Sequence, residues 1–251
     1  MTPPERGYQA GFYEAHAGVR DGLSRRRKAS KIASVLQRAL GDRLGASRCL
    51  DVGSSSGLIT FELAPLFRAT LGTDFDLPAL RHAPRAEALT FAQADAMRLP
   101  IAAASIDVAI CAQVYEHVPD DTRLAAELYR VLKPGGVVFF SGPNWLYPIE
   151  PHYFLPFLHW LPPRLAGLYL KLFRKGDSYY ERSRTYWGLR RLWGKFEIED
   201  VTVELLRARP DDLTITPTLA WALRAPDGWL RAAVPLMPNF NWLLRKPLSG
   251  S

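Results

Sequence analysis

The sequence predicts an α/β fold, a mostly parallel sheet with helices on both faces, followed by an aromatic helical insertion. Three observations carry that expectation. Apolar runs of strand length alternate with stretches of helical period, a turn made only of Gly and Ser follows the first run, and two early strands each carry an acid at or near their end. Alternation of this kind is the pattern of parallel strands joined by right-handed crossovers.

The elements follow in chain order. Ile32, Val35, Leu36, Leu40 and Leu44 recur at helical spacing through a stretch poor in breakers, which predicts an amphipathic helix over about residues 24–44. Arg48-Cys49-Leu50-Asp51-Val52 reads as a strand that runs into Gly53-Ser54-Ser55-Ser56-Gly57, and 57–68 reads as the helix after it. Residues 69–74 are expected as strand, 77–84 as a short helix, 88–93 and 106–111 as strands. Asp120 is placed to cap a helix over about 121–132, which Lys133-Pro134-Gly135-Gly136 stops. Val137-Val138-Phe139-Phe140-Ser141 is a continuous apolar run of the kind a strand buried on both faces requires. Residues 195–206 and about 239–246 are expected as two closing strands.

Regularity breaks between residues 143 and 193, which carry many of the aromatics and prolines at 143, 148, 151, 156, 162 and 163. An insertion there leaves the sheet at its carboxyl edge, where open α/β sheets bind ligands, and is expected to form a lid over substrate. The 251 residues are therefore read as one domain: an N-terminal helical segment (1–45), a cofactor-binding half (46–142), the lid (143–194) and closing strands (195–251).

Composition narrows the function classes. No basic-plus-apolar leader and no run of about 18 apolar residues is visible, so a cytoplasmic location is expected. Cys49 and Cys111, the only cysteines, sit in apolar strand-like runs and read as reduced packing residues. The net charge of +7 suits nucleic acid, an anionic lipid surface or an acidic substrate, and charge alone does not choose among them. Basic residues cluster at Arg25, Arg26, Arg27, Lys28 and Lys31 and again from Arg164 to Arg191. The stretch 153–175 joins aromatics to trailing basic residues, which suits a peripheral contact with the inner membrane face, a lid over a greasy substrate, or an ordinary lid helix packed on the sheet.

The Gly and Ser turn lets backbone pass close to a ligand, and the helix after it aims unpaired amides at the same spot. A nucleotide-like cofactor fits. Asp74 stands 23 positions after Asp51, about where nucleotide folds place the acid that binds ribose hydroxyls.

Asp51-Val52-Gly53-Ser54-Ser55-Ser56-Gly57, Gly72-Thr73-Asp74, Ala94-Asp95-Ala96 before Leu99-Pro100, Ile106 to Cys111, Glu116-His117-Val118-Pro119-Asp120 and Leu132-Lys133-Pro134-Gly135-Gly136 occur in that order. Together they resemble the class I S-adenosylmethionine-dependent methyltransferases, in particular the small-molecule group that includes ubiquinone-biosynthesis enzymes. The resemblance covers about residues 45–142 and implies a Rossmann-like sheet of seven strands. It also implies S-adenosyl-L-methionine as cofactor. By that resemblance Asp51 and Gly53 hold the methionine part, Ser54, Ser55 and Gly57 of the turn bind the cofactor through close backbone approach, Asp74 holds the ribose, Phe75 the adenine face, Asp95 and Ala96 the adenine edge, and Gln113 lines the site. Ser55 departs from the family pattern, which has a second glycine there. A dinucleotide-binding dehydrogenase is the rival reading, but Gly-x-Gly-x-x-Gly is absent.

Methyl transfer to a hydroxyl calls for alignment of the acceptor, exclusion of water and a base near neutrality. His117 and His152 are the catalytic candidates, His117 reading also as a structural histidine beside the cofactor pocket. Tyr153, Trp145 and Tyr147 in the insertion are the substrate candidates. No His and carboxylate spacing suggests a metal site. The expected function is biosynthetic O-methylation of a small-molecule, glycan or lipid-linked metabolite. Two other readings stay open, an RNA-directed methyltransferase, which the missing Asn-Pro-Pro-aromatic motif disfavours, and a non-catalytic scaffold on the same fold.

Overall fold

The structure, a computed structural model, describes residues 21–208 and 224–248. Parts of the predicted N-terminal and closing segments lie outside those residues. Helix α1 (Gly22–Leu40) opens the described chain, capped by the Asp21 carboxylate on the Leu23 amide. Strand β1 (Arg48–Val52) leads through the turn into α2 (Leu58–Leu63), then β2 (Ala69–Asp74), α3 (Leu77–Leu80), β3 (Leu89–Gln93) and β4 (Ile106–Ala112). Helix α4 (Asp121–Val131) is capped by Asp120, whose carboxylate accepts from the Thr122 and Arg123 amides, as its sequence predicts. After β5 (Leu132–Pro143) come α5 (Pro163–Leu172), α6 (Tyr186–Leu192), β6 (Glu197–Asp200), α7 (Thr202–Ala208), α8 (Asp227–Ala233) and β7 (Asn239–Arg245).

The seven strands lie in the order β3-β2-β1-β4-β5-β7-β6. The first five are mutually parallel, and β7 runs antiparallel between β5 and β6. Order reverses between β1 and β4, so their carboxyl ends flank the crevice where such sheets bind ligands. Side-chain alternation builds the two layers. Leu50, Ala109, Cys111, Val138, Phe140, Trp242 and Leu244 meet Leu124, Leu128, Leu189 and Trp193 on one face. Cys49, Val108, Ile110, Val137, Phe139 and Leu243 meet Ile32, Val35, Leu36, Leu63 and Leu205 on the other. Both cysteines are free and buried.

The expected helices over 24–44, 57–68 and 77–84 end early as regular α-helix, at Leu40, Leu63 and Leu80, and two later segments differ more. Lys133 to Gly136 does end α4, yet it lies within β5 as a bulge, because pairing jumps from Ile106 with Leu132 to Val108 with Val137. The expected strand over 195–206 is corrected: only Glu197–Asp200 pairs, and Thr202–Ala208 is helical. The Asp200 carboxylate accepts from the Thr202 amide and from the Trp242 indole, which turns the chain, and Val201 and Leu205 then bury four residues apart beside Leu243. No described helix is long and apolar enough to cross a membrane.

Candidate functional site

The site begins at the end of β1. Gly53 adopts φ +73°, and a Cβ there would stand 2.5 Å from Val114 Cγ2, so only glycine fits. Ser55 is also left-handed, at φ +52°, in the place where the family pattern has glycine. Asp74 holds this turn: its carboxylate accepts from the Ser55 amide at 2.7 Å and from the Asp76 amide at 2.8 Å. The second acid thus steadies the turn from the neighbouring strand, a contact that spacing in sequence does not reveal.

Asp51, Gly53, Ser54 and Ser55 line a small open cleft together with Arg25, Ser56, Leu58 and Ile59. Asp51 is almost wholly buried and accepts a 2.6 Å hydrogen bond from Thr60 Oγ1. Burial lifts its pKa to about 7 against the lowering effect of that bond, with the Asp74 charge adding to the rise. Arg25, on α1, reads in sequence only as one of a basic cluster; here it is the cation of the cleft.

The donor set fits the methionine part of S-adenosylmethionine. A cation and an acid in one cleft match the carboxylate and ammonium of an α-amino acid, the Ser54 hydroxyl is buried there with no hydrogen-bond partner among the described residues, and Gly53 leaves backbone exposed to close approach. Gly57 caps α2 at φ +70°, against the Phe91 ring. The other predicted cofactor residues stand outside this cleft. Asp74 lies behind Ser55, and half-buried Phe75 follows it, its carbonyl accepting from Gln93 Nε2. Asp95 and half-buried Ala96 follow β3, with the Asp95 carboxylate on the Met97 amide. Gln113, left-handed at φ +61°, donates its amide to Asn239 Oδ1 at 2.7 Å and to Ser141 Oγ at 3.3 Å.

A second group forms where the insertion returns to the loop after β4. The short 3-10 turn Tyr115–His117 carries it. Tyr115 is buried, its hydroxyl donating to the Pro143 carbonyl and accepting from the Arg184 amide, while the Glu116 carbonyl takes the Arg182 amide. These bonds tie both ends of the insertion to the loop after β4. His117 and His152, 35 positions apart in sequence, meet ring to ring with centroids 4.8 Å apart. His152 Nδ1 lies 2.7 Å from Glu150 Oε1, and the other Glu150 oxygen accepts from the His152 and Tyr153 amides.

Glu116 and Glu181 complete the group, both buried. Burial raises both carboxyls above the usual range, Glu116 to about 7, while His152 pulls them down. For His152, burial works to lower the pKa, but the Glu150 hydrogen bond and the charges of Glu150, Glu116 and Glu181 outweigh it and the net effect is upward. Sequence reasoning missed Glu150 and Glu181; the Glu-Pro-His spacing of 150–152 was the available signal for the first. The side chains that come together here include three that show no ligand spacing in sequence. Glu116, His117 and His152 bring one ligand atom each within 4.8 Å of the others, which could surround an ion, because folding joins residues whose spacing in sequence shows no pattern.

The substrate candidates occupy the insertion. Tyr153 packs with Tyr179 at the rim of a small apolar cluster of Leu155, Leu158, Ala166 and Leu170. The Trp145 carbonyl accepts from Trp160 Nε1, and its half-exposed ring tilts against Trp160. Tyr147 follows, its amide on the Asn144 carbonyl. His159, given no role from sequence, lies 2.9 Å from the Trp145 carbonyl.

Residues 50–140 match a family described as methyltransferase domain. An uncharacterized methyltransferase of Mycobacterium sp. (strain JLS) is 34% identical over 125 residues, covering 49% of this chain and 50% of the relative. The chain spans about half the length of the curated relatives it matches. Among solved structures, an S-adenosylmethionine-dependent methyltransferase from Mesorhizobium loti superposes with a TM-score of 0.55 at 19% identity, covering 84% of this chain and 96% of that one. Haemonchus contortus phosphoethanolamine N-methyltransferase 2, in complex with S-adenosyl-L-methionine, gives 0.52 at 21% identity, covering 86% and 52%. At such identities the structural likeness establishes the fold.

Proposed function

Because this chain carries a class I S-adenosylmethionine-dependent methyltransferase domain, we propose that it methylates a hydroxyl of a small-molecule, glycan or lipid-linked acceptor, with His152 as general base. The observation that carries this reading is the Glu150 carboxylate on His152 Nδ1. A carboxylate on one ring nitrogen keeps the proton there and leaves Nε2 as the basic atom, the arrangement by which an imidazole removes a hydroxyl proton. Glu150 also steadies the imidazolium that results.

When bound, S-adenosylmethionine supplies an electrophilic methyl on a sulfonium whose loss leaves a neutral thioether. Arg25 and Asp51 would hold its carboxylate and ammonium, and Asp74 would keep the turn in shape. The insertion, tied down through Tyr115, Glu116 and Asn144, excludes water from the acceptor side, and Trp145, Tyr147 and Tyr153 supply aromatic walls for it. The basic clusters give the RNA-directed reading less support than their sequence suggests, since Arg25 turns into the cleft and Arg26 pairs with Glu62.

The test is transfer of label from methyl-labelled S-adenosylmethionine to a panel of hydroxyl and amine acceptors, in the wild type and in His152→Ala. The expected result is labelled ether and a loss of kcat of roughly a hundredfold or more with cofactor affinity kept. Labelling of amines only, or an unchanged kcat in the variant, defeats the assignment.

A further inference from the structure

Helix α5 is apolar on two sides. Ala166 and Leu170 face inward onto Leu155 and Leu158, which completes the small core of the insertion, and Gly167 is buried against the Asp177 backbone. Leu165, Leu168 and Leu172 point the other way and are 52%, 65% and 75% exposed. Phe154, Phe157 and Phe173, before and after the helix in sequence, are exposed as well. A helix apolar all round is ordinarily buried, and a contiguous exposed apolar patch marks a contact surface.

Charge selects the occupant. Residues 154–175 contain no Asp or Glu and four basic residues, Arg164, Lys171, Arg174 and Lys175, all exposed. At 3.6 residues per turn Arg164 and Lys171 project together, followed by Leu168, Leu172 and Leu165, so cations border leucines along one outer arc of about 120°. Long basic side chains beside an apolar stripe let the stripe enter hydrocarbon while the charges stay at the level of lipid phosphates. We propose that the outer face of α5 is a docking surface for an anionic lipid bilayer, which the protein meets peripherally with the leucines inserted and the four cations against acidic headgroups. The inference stands independently of which acceptor is methylated.

Co-sedimentation of the full chain with vesicles of phosphatidylglycerol in phosphatidylcholine, against phosphatidylcholine alone, tests it. Binding should be roughly tenfold or more stronger to the anionic vesicles and should weaken with salt. Lys171→Glu with Arg174→Glu should remove that preference, at roughly fivefold or more for each charge removed. Leu168→Asp with Leu172→Asp should lose binding at low salt as well, and the milder Leu165→Ser with Leu168→Ser should weaken it, circular dichroism and melting temperature confirming that the variants are folded. Equal binding to both kinds of vesicle, or leucine variants that bind as the wild type does, would overturn the proposal. So would light scattering that shows a dimer split by the leucine substitutions without any binding to vesicles, since a second copy would then cover the face.

Discussion

Replacing Asp51 with Asn separates what the cleft costs the fold from what it does for the ligand. Asp51 is buried, and its pKa rises from 3.8 to about 7 because burial penalises the carboxylate. A carboxyl whose pKa is raised on folding holds its proton more tightly in the native state. The stability this brings is fully present below about pH 4 and is lost as pH rises through about 7. Each tenfold difference in proton affinity between folded and unfolded chain is worth about 1.4 kcal/mol, so between pH 5 and pH 8.5 the wild type should lose about 3 kcal/mol relative to Asp51→Asn, which does not titrate. Asn keeps an oxygen for the Thr60 hydroxyl, so the local bond survives. Urea denaturation of both proteins without cofactor, at the two pH values, measures the difference, and the other titrating groups cancel in it to first order. The variant should be the more stable protein at pH 8.5 and should bind cofactor weakly, having lost the acid that pairs with its ammonium. A stability difference that does not change with pH, or that favours the wild type more at pH 8.5, refutes the reasoning.

Other perturbations test the rest of the site. Asp74→Ala removes one charge-assisted bond to the turn, from the Ser55 amide, and one to the Asp76 amide, and calorimetry should find S-adenosylmethionine bound roughly tenfold or more weakly; equal affinity contradicts the role given to this acid. Gly53→Ala should cost about 1–3 kcal/mol in thermal denaturation, since its φ of +73° and the nearby Val114 methyl both oppose a side chain. In Glu150→Gln the amide oxygen is needed by the His152 and Tyr153 backbone, so the NH2 group meets Nδ1 and puts the ring proton on the wrong nitrogen; kcat should fall as far as in His152→Ala while the melting temperature holds. The wild-type kcat should rise with pH through a value above 6.5, because His152 must be neutral to act and its pKa is raised. A pH-independent kcat argues against His152 as base.

Legibility along the chain follows the range of the forces involved. The strands of the cofactor half are legible to within a residue or two, except that β5 begins at Leu132, ahead of the apolar run at Val137, because the bulge is a matter of pairing with β4. The helix over 24–44 stops at Leu40, and 57–68 holds a regular α-helix only to Leu63. The stretch up to residue 206 reads as strand in sequence because its apolar residues satisfy either period, and the Asp200 carboxylate on the Thr202 amide turns it into helix although β7 continues to Asn239.

The cofactor came from the resemblance of the ordered motifs to a known family, and the sequence by itself was sufficient for the α/β class and for the Gly and Ser turn with its acids Asp51 and Asp74. Those features rest on local chemistry: the side-chain period of each element, the backbone freedom of glycine, and the ends of neighbouring parallel strands. Tertiary structure decided the rest. It brought Arg25 from the first helix to Asp51, gathered Glu116, His117, Glu150, His152 and Glu181 from three separate stretches, and turned one face of α5 outward. A buried charge cluster exists only when remote segments share one low-dielectric volume, and an exposed leucine face only when the opposite face has already found its core; spacing in the chain says neither which segments meet nor which face stays outside.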